Sequence, residues 1–200
     1  MAAEIDKMPG LSAAAWAPIR FPFSEPKAIE AAAVLLQDSG GSMPYMRLIK
    51  LIYLADRESL HRFGRPIAGG RYVAMKLGPV TSEILDTIKY SLQGKWAEII
   101  ERDGYDVRLK HGIESRLLSE AEISILQETA DLFRRLDKWA LSDLTHSLPE
   151  WRDPGDSAAE ISPEDILTAL KKSEEEIEDI REDAMEDRYF SQLFADKGRL

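Results

Sequence analysis

The chain of 200 residues contains no cysteine. Disulfides, thiolate zinc sites and cysteine nucleophiles are therefore excluded, and the composition fits a reducing cytosol. Long apolar runs are also missing, because stretches such as residues 51–55 fall far short of the roughly 18 residues that a membrane-spanning helix needs. The first residues show neither the basic start nor the apolar run of a secretory signal. We therefore expect a soluble, cytoplasmic protein that is not inserted into a membrane.

Sequence motifs of common enzymes are absent as well. There is no glycine-rich nucleotide-binding loop, no G-x-S-x-G elbow and no H-E-x-x-H zinc motif. The three histidines, His61, His111 and His146, fall in different predicted elements and none has a partner at a metal-site spacing. We expect no cofactor, no metal and no enzymatic activity. The alternative of an uncharacterised hydrolase would require titratable side chains that cluster in a pocket.

Positive charge is scarce in one segment. The net charge is −10, and residues 174–187 carry nine acids against one base, which is −8 of that total. Because nucleic-acid binders normally show a basic stripe, direct nucleic-acid binding is disfavoured. The acidic segment has two interpretations, a solvated helix face or a docking surface for a basic partner.

What is present is enough apolar sequence for one folded domain, since 44% of residues are hydrophobic and 31% are charged. We predict a loosely ordered N-terminal arm over residues 1–23, a helical domain over 24–172, and an acidic C-terminal helix over 173–200. The fold class is mainly α (α+β): a compact domain of about six or seven helices with a small antiparallel sheet or hairpin.

The first helix is predicted to begin at Ser24 with a capping side chain and an early proline, and to stop at the glycines 40–41. The second runs over about residues 44–63, and its centre is apolar nearly all the way round, which is typical of a helix in the middle of a domain. A third is predicted from apolar positions at helical spacing between Val80 and Leu92.

Strand signals follow the second helix. Residues 71–76 are rich in β-branched and aromatic side chains, and Gly78-Pro79 is predicted to turn the chain into the third helix. Residues 96–102 and 105–109 flank Asp103-Gly104, a pair typical of a tight hairpin. Later helices are predicted from capping signals at Ser119, Ser162 and Ser173, with a shorter helix around residues 141–147.

Three sequence blocks, residues 50–57, 63–67 and 71–80, resemble in order and spacing the signature of the Panacea domain of SocA-like antitoxins. Shorter matches in the C-terminal half extend the resemblance over about residues 26–170. The resemblance implies a bacterial or phage antitoxin that binds and neutralises a co-encoded protein toxin, without a cofactor. The resemblance also suggests a second role, that of an adaptor that delivers the toxin to a protease unfoldase. The alternative is an interaction module of the same fold without a toxin of its own.

Charged and amphipathic residues of the motif blocks are the candidate functional positions, because beside an apolar helix they must be paired internally or reach a surface. One interpretation is an internal polar network, for example Asp56 paired with Arg71. The other is a partner-facing patch. The candidate partner-binding residues, including three from the acidic helix, are Lys50, Tyr53, Asp56, Arg71, Tyr72, Lys76, Glu175, Asp179 and Glu182.

Overall fold

The structure is a computed structural model that describes residues 17–197, with the side chains of residues 17–190. Most of the predicted arm, residues 1–16, and the last three residues lie outside the described residues. The described part contains eight helices and two three-stranded antiparallel sheets, so the predicted mainly helical α+β class is confirmed.

The helices are α1 (Glu25–Asp38), α2 (Tyr45–Phe63), α3 (Ser82–Tyr90), α4 (Gly94–Ile99), α5 (Glu120–Leu132), α6 (Lys138–His146), α7 (Pro163–Ala169) and α8 (Glu174–Lys197). The strands are β1 (Ser42–Pro44), β2 (Tyr72–Met75), β3 (Gly78–Thr81), β4 (Ile100–Asp103), β5 (Asp106–Leu109) and β6 (Ala159–Ile161).

Helix α2 is the centre of the fold, as its sequence predicts. Residues 48–56 in its middle are buried on all sides, including Leu48, Leu51 and Ala55 with no exposed surface. It packs against α1, α5 and α6 and against β3. Because the helix is covered all round, its few polar side chains must find partners inside the protein.

The first sheet has the strand order β1-β5-β4 and contains the predicted hairpin, with Gly104 and Tyr105 at its tip. The prediction that Trp96 belongs to the first strand is wrong. Trp96 lies instead in the short helix α4, with its side chain fully buried. Its apolar ring can serve the core equally from a helix or from a strand, so hydrophobicity alone did not distinguish them.

The second sheet has the order β3-β2-β6. Here Gly78-Pro79 does not turn the chain into a helix, as predicted, but begins strand β3, and residues 76–77 make the turn. Strand β6 joins from the C-terminal half of the chain, where Ile161 pairs with Tyr72. The sheet therefore fixes the segment after α2 to the segment before α7.

Most helix starts follow the predicted capping signals. The Ser119 and Ser162 side chains each form a complete capping box at the starts of α5 and α7. Helix α6 begins earlier than predicted, because the Asp137 side chain accepts the first free N–H groups of that helix. Ser24 precedes α1 as expected, but its side chain makes no capping hydrogen bond.

Helix α8 lies against the domain along one apolar stripe. Ile177 and Ile180 pack on the core and Ala184 is buried. The Arg181 guanidinium donates to the carbonyl of Ala17 at 3.0 Å, and Ile19 is 2% exposed. Thus the chain just before α1 is held between α8 and the body.

No helix in the described part of the chain is long and apolar enough to cross a membrane.

Candidate functional site

The carboxylate of Asp56 lies fully buried in the middle of α2. One of its oxygens accepts the backbone N–H groups of Ile67 at 2.9 Å and Ala68 at 2.8 Å. The other accepts the N–H of Gly69 at 3.2 Å and the O–H of Tyr72 at 3.1 Å. Burial raises the pKa of Asp56 to about 6, although all four hydrogen bonds favour the charged form. This side chain therefore ties the loop after α2 to the helix.

Glu150 binds the same helix from the C-terminal half of the chain, with a side chain that is 0% exposed. Its carboxylate accepts the hydroxyl of Tyr53 at 3.0 Å and the guanidinium of Arg57 at 2.7 Å. Burial, reinforced by the charge of Glu150, raises the pKa of Tyr53 well above its ordinary value. Next to it, the indole N–H of Trp151 donates to the carbonyl of Met75 at 3.1 Å. The corner at residues 149–151 is thereby fixed to both α2 and β2.

Lys50 is the third polar group that α2 places in the interior, where it is 1% exposed. Its ammonium donates to the carbonyl of Pro79 at 3.4 Å, and burial lowers its pKa to about 8. Gly78 makes this approach possible. At its φ of +94° an added Cβ would lie 2.7 Å from the Lys50 nitrogen and 2.4 Å from Thr145 Oγ1. A side chain at this position would be strained and would also collide with its neighbours.

We define the buried polar residues Lys50, Tyr53, Asp56, Tyr72 and Glu150 as the internal polar network. Tyr53 bonds to Glu150 and Tyr72 to Asp56, while Lys50 bonds to the backbone of β3. Four of its members are candidate residues from the sequence, and the structure brings all four into the interior. The network joins α2 to β2, to β3 and to the corner before β6. It therefore positions the elements of the domain relative to one another.

The predicted pairing of Asp56 with Arg71 is wrong. The Arg71 side chain is exposed and bonds to Glu83 on α3 at 3.2 Å, while backbone N–H groups occupy Asp56. Lys76 is also exposed and pairs with Asp156 at 3.0 Å. Arg71 and Lys76 therefore lie on the surface, outside the internal network.

The three candidate acids of the C-terminal helix, Glu175, Asp179 and Glu182, are exposed along α8. Two of their neighbours have partners on the chain, because Glu176 pairs with Lys172 and Glu178 pairs with Arg181. The three candidates make no ion pair with any side chain of the described residues. Their charges are therefore available to the solvent or to a partner.

The titratable side chains His146, Glu150 and Asp165 all have contacts within the protein. Within the described residues no group of three or more acidic or histidine side chains could hold a metal ion. His146 stacks on Trp151, with ring centroids 4.3 Å apart. An open groove of about 570 Å³ between β6 and α7 is lined by Glu150 and Asp165, but Glu150 belongs to the internal network and Asp165 caps α7.

Several important residues escaped the sequence analysis. Glu30 on α1 accepts three backbone N–H groups, from residues 116–118. Glu150 is not identified from the sequence as the partner of Tyr53. Tyr105 and Trp139 are 72% and 55% exposed on neighbouring surfaces. The sequence places Tyr105 just after the hairpin turn and Trp139 just after the Asp137 cap, which predicts that both are near the surface. That the two side chains lie close to each other depends on the fold and cannot be read from the sequence.

Part of the chain matches the model of a known protein family. Residues 48–152, which include the whole internal network, match the family described as antitoxin SocA-like, Panacea domain. No curated protein and no solved structure matches the chain at a significant level. The matched segment covers more than half of the 200 residues. This chain therefore belongs to the SocA-like antitoxin family and carries its Panacea domain.

Proposed function

We propose that this chain is an antitoxin that neutralises a co-encoded protein toxin by binding it directly. The observation that carries the proposal is the family match over residues 48–152, the segment that contains the central helix and the internal network. A folded domain with a fixed interior offers a preformed surface to a partner, which lowers the entropic cost of binding. In this role the protein acts by binding and not as an enzyme.

Support for a binding role comes from where the titratable groups lie. Asp56 and Glu150, the buried carboxylates of the network, are occupied by hydrogen-bond donors of the protein itself. The hydroxyls that they accept, from Tyr53 and Tyr72, are buried as well, so none of these groups is exposed where a substrate could reach it. Of the candidate residues, only Arg71, Lys76 and the acids of α8 are exposed on the surface.

The experiment is expression of the adjacent open reading frame in the native host, alone and together with this chain. We expect growth arrest from the neighbour alone and restored growth with the intact chain. Leu51→Asp, which should prevent folding, serves as a control that must not restore growth. A neighbour that is harmless in its native host would argue instead for an interaction module without a toxin of its own.

Delivery of the toxin to a protease unfoldase would be an additional property of the same complex. It predicts a shorter cellular half-life of the toxin in the presence of this chain, and a longer one when the unfoldase is deleted. Neutralisation by binding alone predicts an unchanged toxin half-life together with restored growth.

A further inference from the structure

Exposed and half-buried aromatic and cationic side chains meet where the hairpin tip, the start of α2 and the start of α6 come together. We call this the aromatic–cationic patch and define it as Tyr45, Arg102, Tyr105, Lys138 and Trp139. Tyr45 and Tyr105 are stacked with ring centroids 6.4 Å apart. Lys138 lies 5.6 Å from the Tyr105 ring and 5.4 Å from the Trp139 ring, and Arg102 lies 5.0 Å from the Tyr45 ring. The five side chains form one continuous surface.

Backbone contacts hold this surface in place. The N–H of Tyr45 donates to the carbonyl of Tyr105 at 2.9 Å, which joins the start of α2 to the hairpin tip. The guanidinium of Arg102 donates to the carbonyls of Lys89 at 2.6 Å and Gly104 at 2.8 Å. The hairpin tip, the start of α2 and the Arg102 side chain are therefore held in place before a partner binds, which lowers the ordering cost of binding.

The cations of the patch lack internal counter-ions. Within the described residues, no carboxylate lies within 4.0 Å of the side-chain nitrogens of Arg102 or Lys138. Of the acids beside the patch in the sequence, Asp103 pairs with Arg108 at 3.7 Å and the Asp137 carboxylate accepts the N–H groups that begin α6, while the exposed Asp106 has no ion-pair partner among the described residues. Arg102 and Lys138 therefore present two positive charges beside the aromatic rings, on a chain whose net charge is −10.

Tyrosine, tryptophan and arginine dominate the binding energy of protein interfaces when they are buried by a partner. We propose that the aromatic–cationic patch docks a segment of the protein toxin that carries carboxylates beside an apolar side chain. This inference rests on the proposed function and names the surface that performs it. The carboxylates would meet Arg102 and Lys138, while the apolar side chain would cover the rings of Tyr105 and Trp139.

The same residue types also bind single-stranded nucleic acid, where bases stack on exposed rings. Here the Tyr45 ring faces Tyr105 and Arg102, so much of its surface is already used. The overall negative charge opposes a phosphate backbone, which favours a protein segment.

The test measures binding of the purified product of the adjacent open reading frame to the full chain and to four variants. Tyr105→Ala, Trp139→Ala and Lys138→Glu are each expected to weaken the affinity at least tenfold and to reduce growth rescue. Leu117→Ala, an exposed apolar residue on the loop held by Glu30, is the matched control and should bind within twofold of the native chain. Thermal melts of all variants should coincide with that of the native chain, because the altered side chains are solvent-exposed or only partly covered.

The outcomes separate this inference from the proposed function. If the native chain neither binds the neighbour nor rescues growth, the proposed function fails and this docking surface fails with it. If the native chain rescues growth and the three patch variants bind and rescue equally well, only the patch assignment is overturned. Two further results would overturn the assignment by showing that the patch binds nucleic acid or a second copy of this chain. They are binding of a fluorescent single-stranded oligonucleotide that Trp139→Ala abolishes, and a dimer in light scattering that the same change dissociates.

Discussion

The internal polar network and the aromatic–cationic patch use the same kinds of residues in opposite ways. Lys50 and Tyr53 are at most 1% exposed and are held by partners of the chain itself, whereas Tyr105 is 72% exposed and Lys138 lies over the rings of Tyr105 and Trp139. In the network, polar groups fix the positions of helices and strands. In the patch, similar groups face the solvent. Burial and pairing, more than residue type, separate a scaffold from a docking surface.

The largest effect is expected from a substitution that unfolds the buried part of the domain. Leu51→Asp places a carboxylate without a partner in the fully buried centre of α2, which should cost several kcal/mol and abolish cooperative unfolding. Thermal denaturation followed by circular dichroism checks this, with Leu117→Asp on the surface as the control that should melt like the native chain. A native-like melt of Leu51→Asp would mean that α2 is not central.

The second prediction concerns Gly78, where an added side chain would collide with the Lys50 nitrogen of the internal network. Gly78→Ala should lower the free energy of unfolding by about 2–4 kcal/mol, because the new methyl group meets Lys50 and Thr145 at a positive φ. Gly41→Ala is a matched control, since its φ of +93° is nearly that of Gly78 but nothing lies within 4 Å of its added Cβ. Urea denaturation compares the two. Equal losses would show that backbone strain, and not the close approach to Lys50, requires glycine at position 78.

A third change alters the charge of the network. Asp56→Asn should cost about 1–3 kcal/mol, because the amide nitrogen cannot accept the hydrogen bonds that one carboxylate oxygen receives. The pKa of Asp56 is about 6 in the folded protein, above its ordinary value of 3.8, so between these values the folded state binds more protons than the unfolded state. The contribution of Asp56 to stability is therefore largest below pH 4 and falls as the pH rises to about 6.

Denaturant unfolding at several pH values measures this effect. The stability difference between the native chain and Asp56→Asn should narrow as the pH rises through this window, and then stay constant. A difference that widens with rising pH would indicate that the four hydrogen bonds outweigh burial and lower the pKa of Asp56.

The smallest effect concerns the exposed acids of α8, which we expect to steer the toxin without being buried by it. Replacing Glu175, Asp179 and Glu182 with glutamine should leave folding stability unchanged, slow toxin association and flatten its salt dependence. Stopped-flow binding at low and high salt measures both rates. The matched control replaces three exposed acids elsewhere, Glu98, Glu114 and Glu120, for the same change in net charge. Normal association with much faster dissociation would place α8 inside the interface.

Much of the fold could be predicted because its signals are local. Capping residues such as Ser119 and Ser162 fixed helix starts, and the apolar centre of α2 identified the central helix. The errors occurred where a local signal has two solutions. Trp96 is apolar enough for a strand or a helix, and Gly78-Pro79 can turn a chain or begin an edge strand. Which structure forms at each of these two places depends on how the neighbouring strands pair. Strand pairing in turn depends on residues far away along the chain.

The candidate site was harder to predict. The sequence identified Lys50, Tyr53 and Asp56 as polar residues that need partners, but it could not supply those partners. Glu150 lies 97 residues from Tyr53 along the chain. The patch has the same difficulty, because Tyr45, Tyr105 and Trp139 come from three separate segments. Their spacing in the sequence carries no period that would bring them together.

The most direct measurement is amide hydrogen exchange of this chain, alone and saturated with the protein encoded by its neighbour. The account predicts new protection at the hairpin tip around Tyr105 and at the start of α6 around Trp139. It predicts little change over residues 67–81, which the internal network already fixes. Protection that appears in residues 67–81 while the patch exchanges as before would contradict it, because the family motif itself would then be the surface that binds the partner.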